Sequence, residues 1–388
     1  MKRYMRLLAL LAALTLVIAA CGGSEEGGDT TEAEAPATTE APAPDTTEGS
    51  TDTTEGSTDT TEVMVDGSDI SVALVFDIGG RGDQSFNDAA ARGFDEKLAE
   101  YGFEPVELQA NTAGDDRDEL LDLAASQGAA LVIGNGFLFE DAVEANAEAY
   151  PETFFAITDA ALADADFAPY DLPNVSELLF AEHEGSFLVG AAAALKSTTG
   201  KIGFIGGVAI PLIQKFEAGY RAGAEYINPD IEIVSNYLTQ PPDFTGFTDP
   251  AKGAEAANAM YDGGADVVYH AAGGSGGGLF ESAKAKSEEQ GTQLWAIGVD
   301  SDQYLTASAE LQPYILTSML KRVDIAVAST IDDVINGSFT GGDRVFDLSV
   351  DGVGYSTTGG FVDDIAAQLD ELKAMIIDGT IEVPSTLG

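Results

Sequence analysis

The sequence predicts an α/β protein of two lobes, each a parallel sheet flanked by helices. Three observations carry that expectation. From Ile70 onward, short apolar runs alternate with longer segments of helical character. The apolar runs are continuous, which suits parallel strands covered on both faces. The rhythm then restarts near Glu182, giving two series of similar length, about what one lobe each requires.

In the first series, residues 70–76 read as a strand and 86–101 as a helix closed by Gly102. Residues 105–109 follow as strand, 117–127 as a helix closed by Gly128, 129–133 as strand, 140–150 as helix and 153–158 as strand. Glycine after a helix supplies the left-handed turn that ends it. In the second series, 185–195 is helix, 201–206 strand, 211–227 helix, 231–238 strand, 249–262 helix, 267–269 strand, 277–290 helix and 293–299 strand. Residues 315–320 add a strand, 323–335 a helix that can cross back to the first lobe, and 361–377 a last helix.

Composition narrows the function. The 388 residues carry a net charge of −48, and residues 70–388 alone keep 52 acidic against 15 basic side chains. Such a surface opposes binding to nucleic acid, which requires basic groups to displace counterions, and opposes charge-driven docking on anionic lipid. A strongly solvated surface suited to salty surroundings is the simpler meaning of the charge.

The N-terminus has the form of an export signal. Lys2, Arg3 and Arg6 precede an apolar run over 7–20, too short to span a bilayer comfortably. The ending Ile18-Ala19-Ala20-Cys21-Gly22 resembles the bacterial lipobox. That resemblance implies cleavage after residue 20 and lipidation of Cys21, with the mature protein on the extracytoplasmic face of the cell membrane. Cys21 is the only cysteine, so no intrachain disulfide and no cysteine-based metal site can form. Residues 22–69 hold fourteen acidic and no basic side chains, in Thr/Glu/Pro-rich low-complexity sequence. Such composition cannot bury enough apolar surface to fold and reads as a tether over 21–69.

Ligands of parallel sheets bind beyond the carboxyl ends of the strands. Asp77, Gly134 with Phe137, Asp159, the glycine loop at 273–278, Asp300 and Lys321 all occupy such positions. The loop Gly79-Gly80-Arg81-Gly82-Asp83-Gln84-Ser85 fails as a phosphate cradle, because serine stands at the third fingerprint position and two carboxylates flank the turn. The 273–278 loop has no following Lys-Ser or Lys-Thr, so its glycines serve close backbone approach instead. Asp77, Asp159 and Asp300 are acceptors and suit an uncharged ligand rich in donors, such as a sugar or ribose; each also suits a turn or helix cap. Phe86 and Phe247 enter helices from loops and could sandwich a planar ring, or pack into their own lobes. Lys321 could equally hold its strand end through Asp324 or Asp300. His183 and His270 are too sparse for a metal site, although His270 stands near the glycine loop. No nucleophile, base and acid arrangement is evident, and no cofactor is called for.

These residues carry a resemblance. Val72-Ala73-Leu74-Val75-Phe76-Asp77, followed by Asp83-Gln84-Ser85-Phe86-Asn87, resembles the opening signature of the basic membrane protein family. Phe155-Ala156-Ile157-Thr158-Asp159, Phe216-Glu217-Ala218-Gly219-Tyr220-Arg221-Ala222-Gly223, Thr248-Asp249-Pro250-Ala251-Lys252-Gly253, Gly298-Val299-Asp300-Ser301-Asp302-Gln303 and Thr317-Ser318-Met319-Leu320-Lys321 agree with it, so it covers the whole folded part. The resemblance implies a two-lobed type I periplasmic-binding-protein fold with a hinge, acting as a monomeric, non-enzymatic lipoprotein that delivers purine nucleosides to an ABC permease. It implies that Phe86 and Phe247, or the nearby Phe244, stack on the base. Asp77 and Asp159 then contact base or ribose, Asn87 donates or accepts at the base edge, Asp300 accepts from ribose hydroxyls, and Gly134, Gly276 and Lys321 complete the site. The expected division is a signal over 1–20, the lipidated tether over 21–69, one lobe from 70–180 with 322–344, and the other from 181–321 with 345–388. Two departures bear on ligand preference: Gly82 stands where many relatives carry an acid, and Asn135 stands in the loop after the third strand. A nucleoside hydrolase, an adhesin using Arg81-Gly82-Asp83, and the same fold holding a sugar or signal molecule are the competing readings.

Overall fold

The computed structural model describes residues 66–163 and 168–388. The expected signal peptide, Cys21 and nearly all of the tether lie outside the described residues. The tether's last four residues are not extended chain. They form a turn in which the Gly67 N–H donates to the Tyr101 carbonyl, tying residues 66–69 to the first lobe.

Twelve strands are described. Strands β1 (Ser71–Phe76), β2 (Glu104–Gln109), β3 (Leu131–Asn135), β4 (Phe154–Thr158), β5 (Val175–Phe180) and β11 (Gly342–Phe346) form one parallel sheet in the order β11-β5-β4-β3-β1-β2. Strands β6 (Lys201–Val208), β7 (Glu232–Thr239), β8 (Val267–Ala271), β9 (Trp295–Asp300), β10 (Ile315–Lys321) and β12 (Val353–Tyr355) form the second, in the order β12-β10-β9-β8-β6-β7. Only β12 runs antiparallel, against β10. The two orders correspond strand for strand, and the lobes share one topology except at the edge, where β11 is parallel and β12 antiparallel.

Helices α1 (Phe86–Tyr101), α2 (Arg117–Ser126), α3 (Glu140–Ala149) and α9 (Val323–Ile335) cover the first sheet. Helices α4 (Glu182–Lys196), α5 (Pro211–Ile227), α6 (Pro250–Asp262), α7 (Gly277–Gln290) and α10 (Ala366–Ile377) belong with the second; the one-turn helix α8 (Gln303–Thr306) follows β9. The chain crosses between sheets three times: from β5 into α4, from β10 into α9, and from β11 to β12. The helix over 323–335 thus returns to the first lobe and packs on α1.

Several expectations change. β5, β11 and β12 were not expected. β5 carries Ser176 and Glu177 in its middle, and β11 is a polar edge strand, so neither gives an apolar run. β11 keeps the first sheet going through Phe346, which pairs with Phe180, two residues past the expected boundary at 344. The last helix starts at Ala366 rather than at 361, because Phe361 packs in a loop against Trp295.

The closest helix packing in the second lobe joins α4 to α5. A Cβ on Gly219 or Gly223 would meet the His183 or Phe187 carbonyl far inside van der Waals contact. Gly223→Ala should therefore destabilise the chain by about 2 kcal/mol or more, although alanine is the better helix former. Urea denaturation measures it; an unchanged or raised midpoint would contradict this packing.

Candidate ligand-binding site

The facing carboxyl ends of the two sheets enclose a cavity of about 100 Å³, many times the space one water needs. Seven of the nine residues expected at the site line it: Asp77, Phe86, Asn87, Asp159, Phe247, Asp300 and Lys321. Gly134 does not. It lies within β3, where its missing side chain makes room for the Phe139 ring. Gly276 does not either, because a Cβ there would enter the ring of His270. His270 is itself fully buried behind the cleft, bonded through Nε2 to Gln303 Oε1 at 2.9 Å, and burial lowers its pKa to about 4. Phe244 packs edge-on against Phe137 across the lobes, leaving Phe247 as the ring in the lining.

Each charged group in the cleft has a partner. Asp77 Oδ1 accepts from Arg117 Nη2 at 2.5 Å and from the Ile78 N–H at 2.7 Å. Burial raises the Asp77 pKa, against the pull of Arg117. Asp83 accepts the N–H groups of Ser85, Asn87 and Asp88, and so satisfies the first turn of α1. That use of Asp83 leaves no free N–H cluster for phosphate. It also turns the carboxylate of the Arg81-Gly82-Asp83 tripeptide inward, while Arg81 is tied to Asp95 and Glu107, so the tripeptide does not present an adhesion motif.

Asp159 and Asp300 occupy equivalent places, each at the end of the third strand in its sheet order, and both have positive φ, 67° and 62°. Non-glycine residues rarely hold this conformation, and it turns both carboxylates toward the opposing lobe. Lys321 lies between the lobes, 2.5 Å from Asp159 Oδ1 and 3.4 Å from Glu182 Oε1. Its ammonium also sits over the rings of Phe86, Phe180 and Phe216, at 5.1, 4.9 and 5.6 Å. Burial works against this ammonium, yet Asp159, Glu182 and Asp300 together hold its pKa above the usual lysine value. The ion pairs expected with Asp324 or Asp300 do not form; Asp324 pairs with Arg322.

The lobes are closed on each other. Ser85 Oγ donates to Asp300 Oδ2 at 2.5 Å, Ser301 Oγ to the Ser85 carbonyl at 2.9 Å, and Gln303 Nε2 to the Gln84 carbonyl at 3.1 Å. Sequence reasoning missed Leu212, Ile213 and Phe216, which line the cleft from the start of α5, and Arg117 and Glu182, which anchor its acids. The first three follow β6 as Asp77 follows β1, so the strand-end rule could have found them. Arg117 is forty residues from Asp77, and no local signal links the two.

The chain's residues 70–386 match the family model described as ABC transporter substrate-binding protein PnrA-like. The chain belongs to this family. It is 36% identical over 330 residues to the ABC transporter nucleoside-binding protein BmpA of Lactococcus lactis, covering 82% of this chain and 90% of that one. It is 33% identical over 324 residues to an uncharacterized lipoprotein of Pyrococcus horikoshii, covering 82% and 76%. Among solved structures, an ABC transporter solute-binding protein of Aeropyrum pernix K1 matches with a TM-score of 0.69 and 32% identity, over 81% of this chain and 94% of that one. The fold is the two-lobed type I architecture of such solute-binding proteins.

Burial raises the Asp300 pKa to about 6, against the pull of Lys321 and Ser85. Folding therefore favours its protonated form. The stability this group contributes is full below the pKa of a free carboxyl, roughly 4, and is lost as pH rises through about 6. Asp300→Asn keeps the shape and an oxygen for Ser85 but cannot ionise. Without ligand, the variant should be more stable than the wild type at pH 8, by on the order of 2 kcal/mol, and the gap should close between pH 6 and 4. Urea titrations across that range measure it; a gap that does not change with pH would contradict the assignment.

Proposed function

We propose that this substrate-binding protein captures a purine nucleoside in its inter-lobe cleft and delivers it to an ABC permease, held to the membrane through a lipid on Cys21. One observation carries the ligand class. Phe86 from the first lobe and Phe247 from the second line one cavity, whose lining also carries the acceptors Asp77, Asp159 and Asp300. Two rings suit a flat base, and carboxylates suit the hydroxyls of an uncharged sugar. The relative named as nucleoside-binding supports this reading, and the relative named as a lipoprotein supports the anchor. The crossings of the chain between the sheets after β5, β10 and β11 support closure about three strands of chain. The same chemistry supports a monomeric receptor that binds and releases its ligand unchanged.

Calorimetry of the full-length chain with adenosine, guanosine, inosine, uridine and ribose tests the ligand class. Micromolar or tighter binding to at least one purine nucleoside is expected, with ribose alone at least a hundredfold weaker. Tight binding to a sugar and none to any nucleoside would replace this reading by the sugar one. Phe86→Ala should weaken nucleoside binding about tenfold to a hundredfold, the range for loss of one stacked face.

Nucleoside monophosphates test the electrostatics. Four carboxylates face the cavity, and the cations nearest them, Lys321 and Arg117, are already paired. Adenosine monophosphate should bind at least a hundredfold more weakly than adenosine; equal affinity would contradict the charge argument. Chromatography of the nucleoside after long incubation should return it intact, and release of free base would make the protein a hydrolase.

A further inference from the structure

Behind the cleft wall lie two uncharged polar side chains that are joined by hydrogen bonds to a residue of the lining. Thr158 ends β4 and Asn135 ends β3, and both are fully buried. The Thr158 hydroxyl donates to Asn135 Oδ1 at 3.0 Å, and Asn135 Nδ2 donates to Asn87 Oδ1 at 3.1 Å. Asn87 is the second residue of α1 and lines the cleft.

We infer that Thr158 and Asn135 are positioning residues that fix the Asn87 amide with its NH2 toward the ligand, so that the site selects a base edge bearing an acceptor there. This rests on the nucleoside reading above and assigns it a specificity.

The direction follows from counting protons. A hydroxyl has one proton to give, and among the described residues Thr158 has one side-chain partner for it, Asn135 Oδ1. That bond turns the Asn135 carbonyl toward Thr158 and its NH2 toward Asn87. Asn87 must then meet Asn135 with its carbonyl, and its own NH2 is left over. Among the described residues that NH2 has no protein acceptor, and it belongs to a side chain in the cavity lining. The reverse arrangement requires both amides to turn over and leaves the Thr158 proton unpaired in a fully buried place. An unpaired buried donor suppresses that arrangement by roughly tenfold or more.

The rest of the lining makes the direction matter. Asp77, Asp83, Asp159 and Asp300 can only accept when ionised, and Lys321 is committed to Asp159 and Glu182. The Asn87 NH2 is therefore a side-chain donor that a base edge can meet among these carboxylates. A ligand that places a ring nitrogen or an exocyclic oxygen at Asn87 pairs with it. One that places an N–H or C–H there leaves it unpaired, which is the stronger form of discrimination.

The full-length wild type, Thr158→Val and Thr158→Ser are titrated by calorimetry with adenosine, inosine, 7-deazaadenosine and 3-deazaadenosine. Valine keeps the volume of threonine and removes the proton; serine keeps the proton. In the wild type, at least one pair differing by an acceptor should differ tenfold or more in affinity. That ratio should fall at least fivefold in Thr158→Val, as the amides become free to turn, and stay within twofold of wild type in Thr158→Ser. Identical ratios in all three chains overturn the lock. Should the wild type bind none of the four, the nucleoside reading fails, and the lock is judged without ligand. In a neutron structure of the deuterated chain the Thr158 deuteron should lie on the line to Asn135 Oδ1, with the Asn87 deuterons facing the cleft; the opposite orientation overturns it.

Discussion

One buried ammonium holds the two halves of this receptor in register. Lys321 is the last residue of a strand in the second sheet, yet its nearest acid, Asp159, directly follows a strand of the first. Its other partner, Glu182, stands where the chain leaves the first sheet for the second and is bound in turn by Lys215 at 2.8 Å. Buried charges are costly unless each is matched, and removal of one member strands the others. The three rings around Lys321 restrict it further, since the ammonium can leave the acids only by leaving the rings. Two of the three crossings between lobes therefore pass through the network that also forms the floor of the cleft. Phe86 takes part in both, with its ring in the cavity lining and beneath the ammonium.

The repeated topology places two of the site's four carboxylates. Asp159 and Asp300 end equivalent strands and share an uncommon backbone conformation, and their charges converge on the same lysine. With Asp77 given to Arg117 and Asp83 to the start of α1, the polar part of the cavity offers carboxylate oxygen to a ligand and almost no unpaired positive charge. A neutral molecule with several donors matches such a surface, and an anion does not. Closure then depends on few and specific contacts. Ser85 bonds Asp300, Ser301 bonds the Ser85 backbone, and Gln303 reaches Gln84 while holding His270 and the Val299 N–H.

Much of this was legible in the sequence. The helices at 86–101, 211–227, 277–290 and 323–335 have the expected ends, because each is bounded by a turn glycine, a proline or an abrupt loss of apolar spacing. The two-lobed class followed from the restart of the β-α rhythm. The strands that escaped notice are those whose pairing comes from the fold rather than from apolar pattern. β5 buries Glu177 in mid-strand, where its Oε2 accepts from the Leu162 N–H, and β11 is an exposed edge. At the site, strand-end aspartates and phenylalanines were legible because position alone brings them to the cleft. Gly134 and Gly276 misled for the same reason: they stand near strand ends, but their empty space is taken by Phe139 and His270. Arg117, Glu182 and the Thr158–Asn135 pair depend on long-range contacts and were not legible at all.

A crystal structure with the tightest-binding purine nucleoside tests the central claim most directly. The account predicts the base between Phe86 and Phe247, with the ribose hydroxyls within about 3 Å of Asp300. A nucleoside bound elsewhere, or in this cleft with its base clear of both rings, would contradict it.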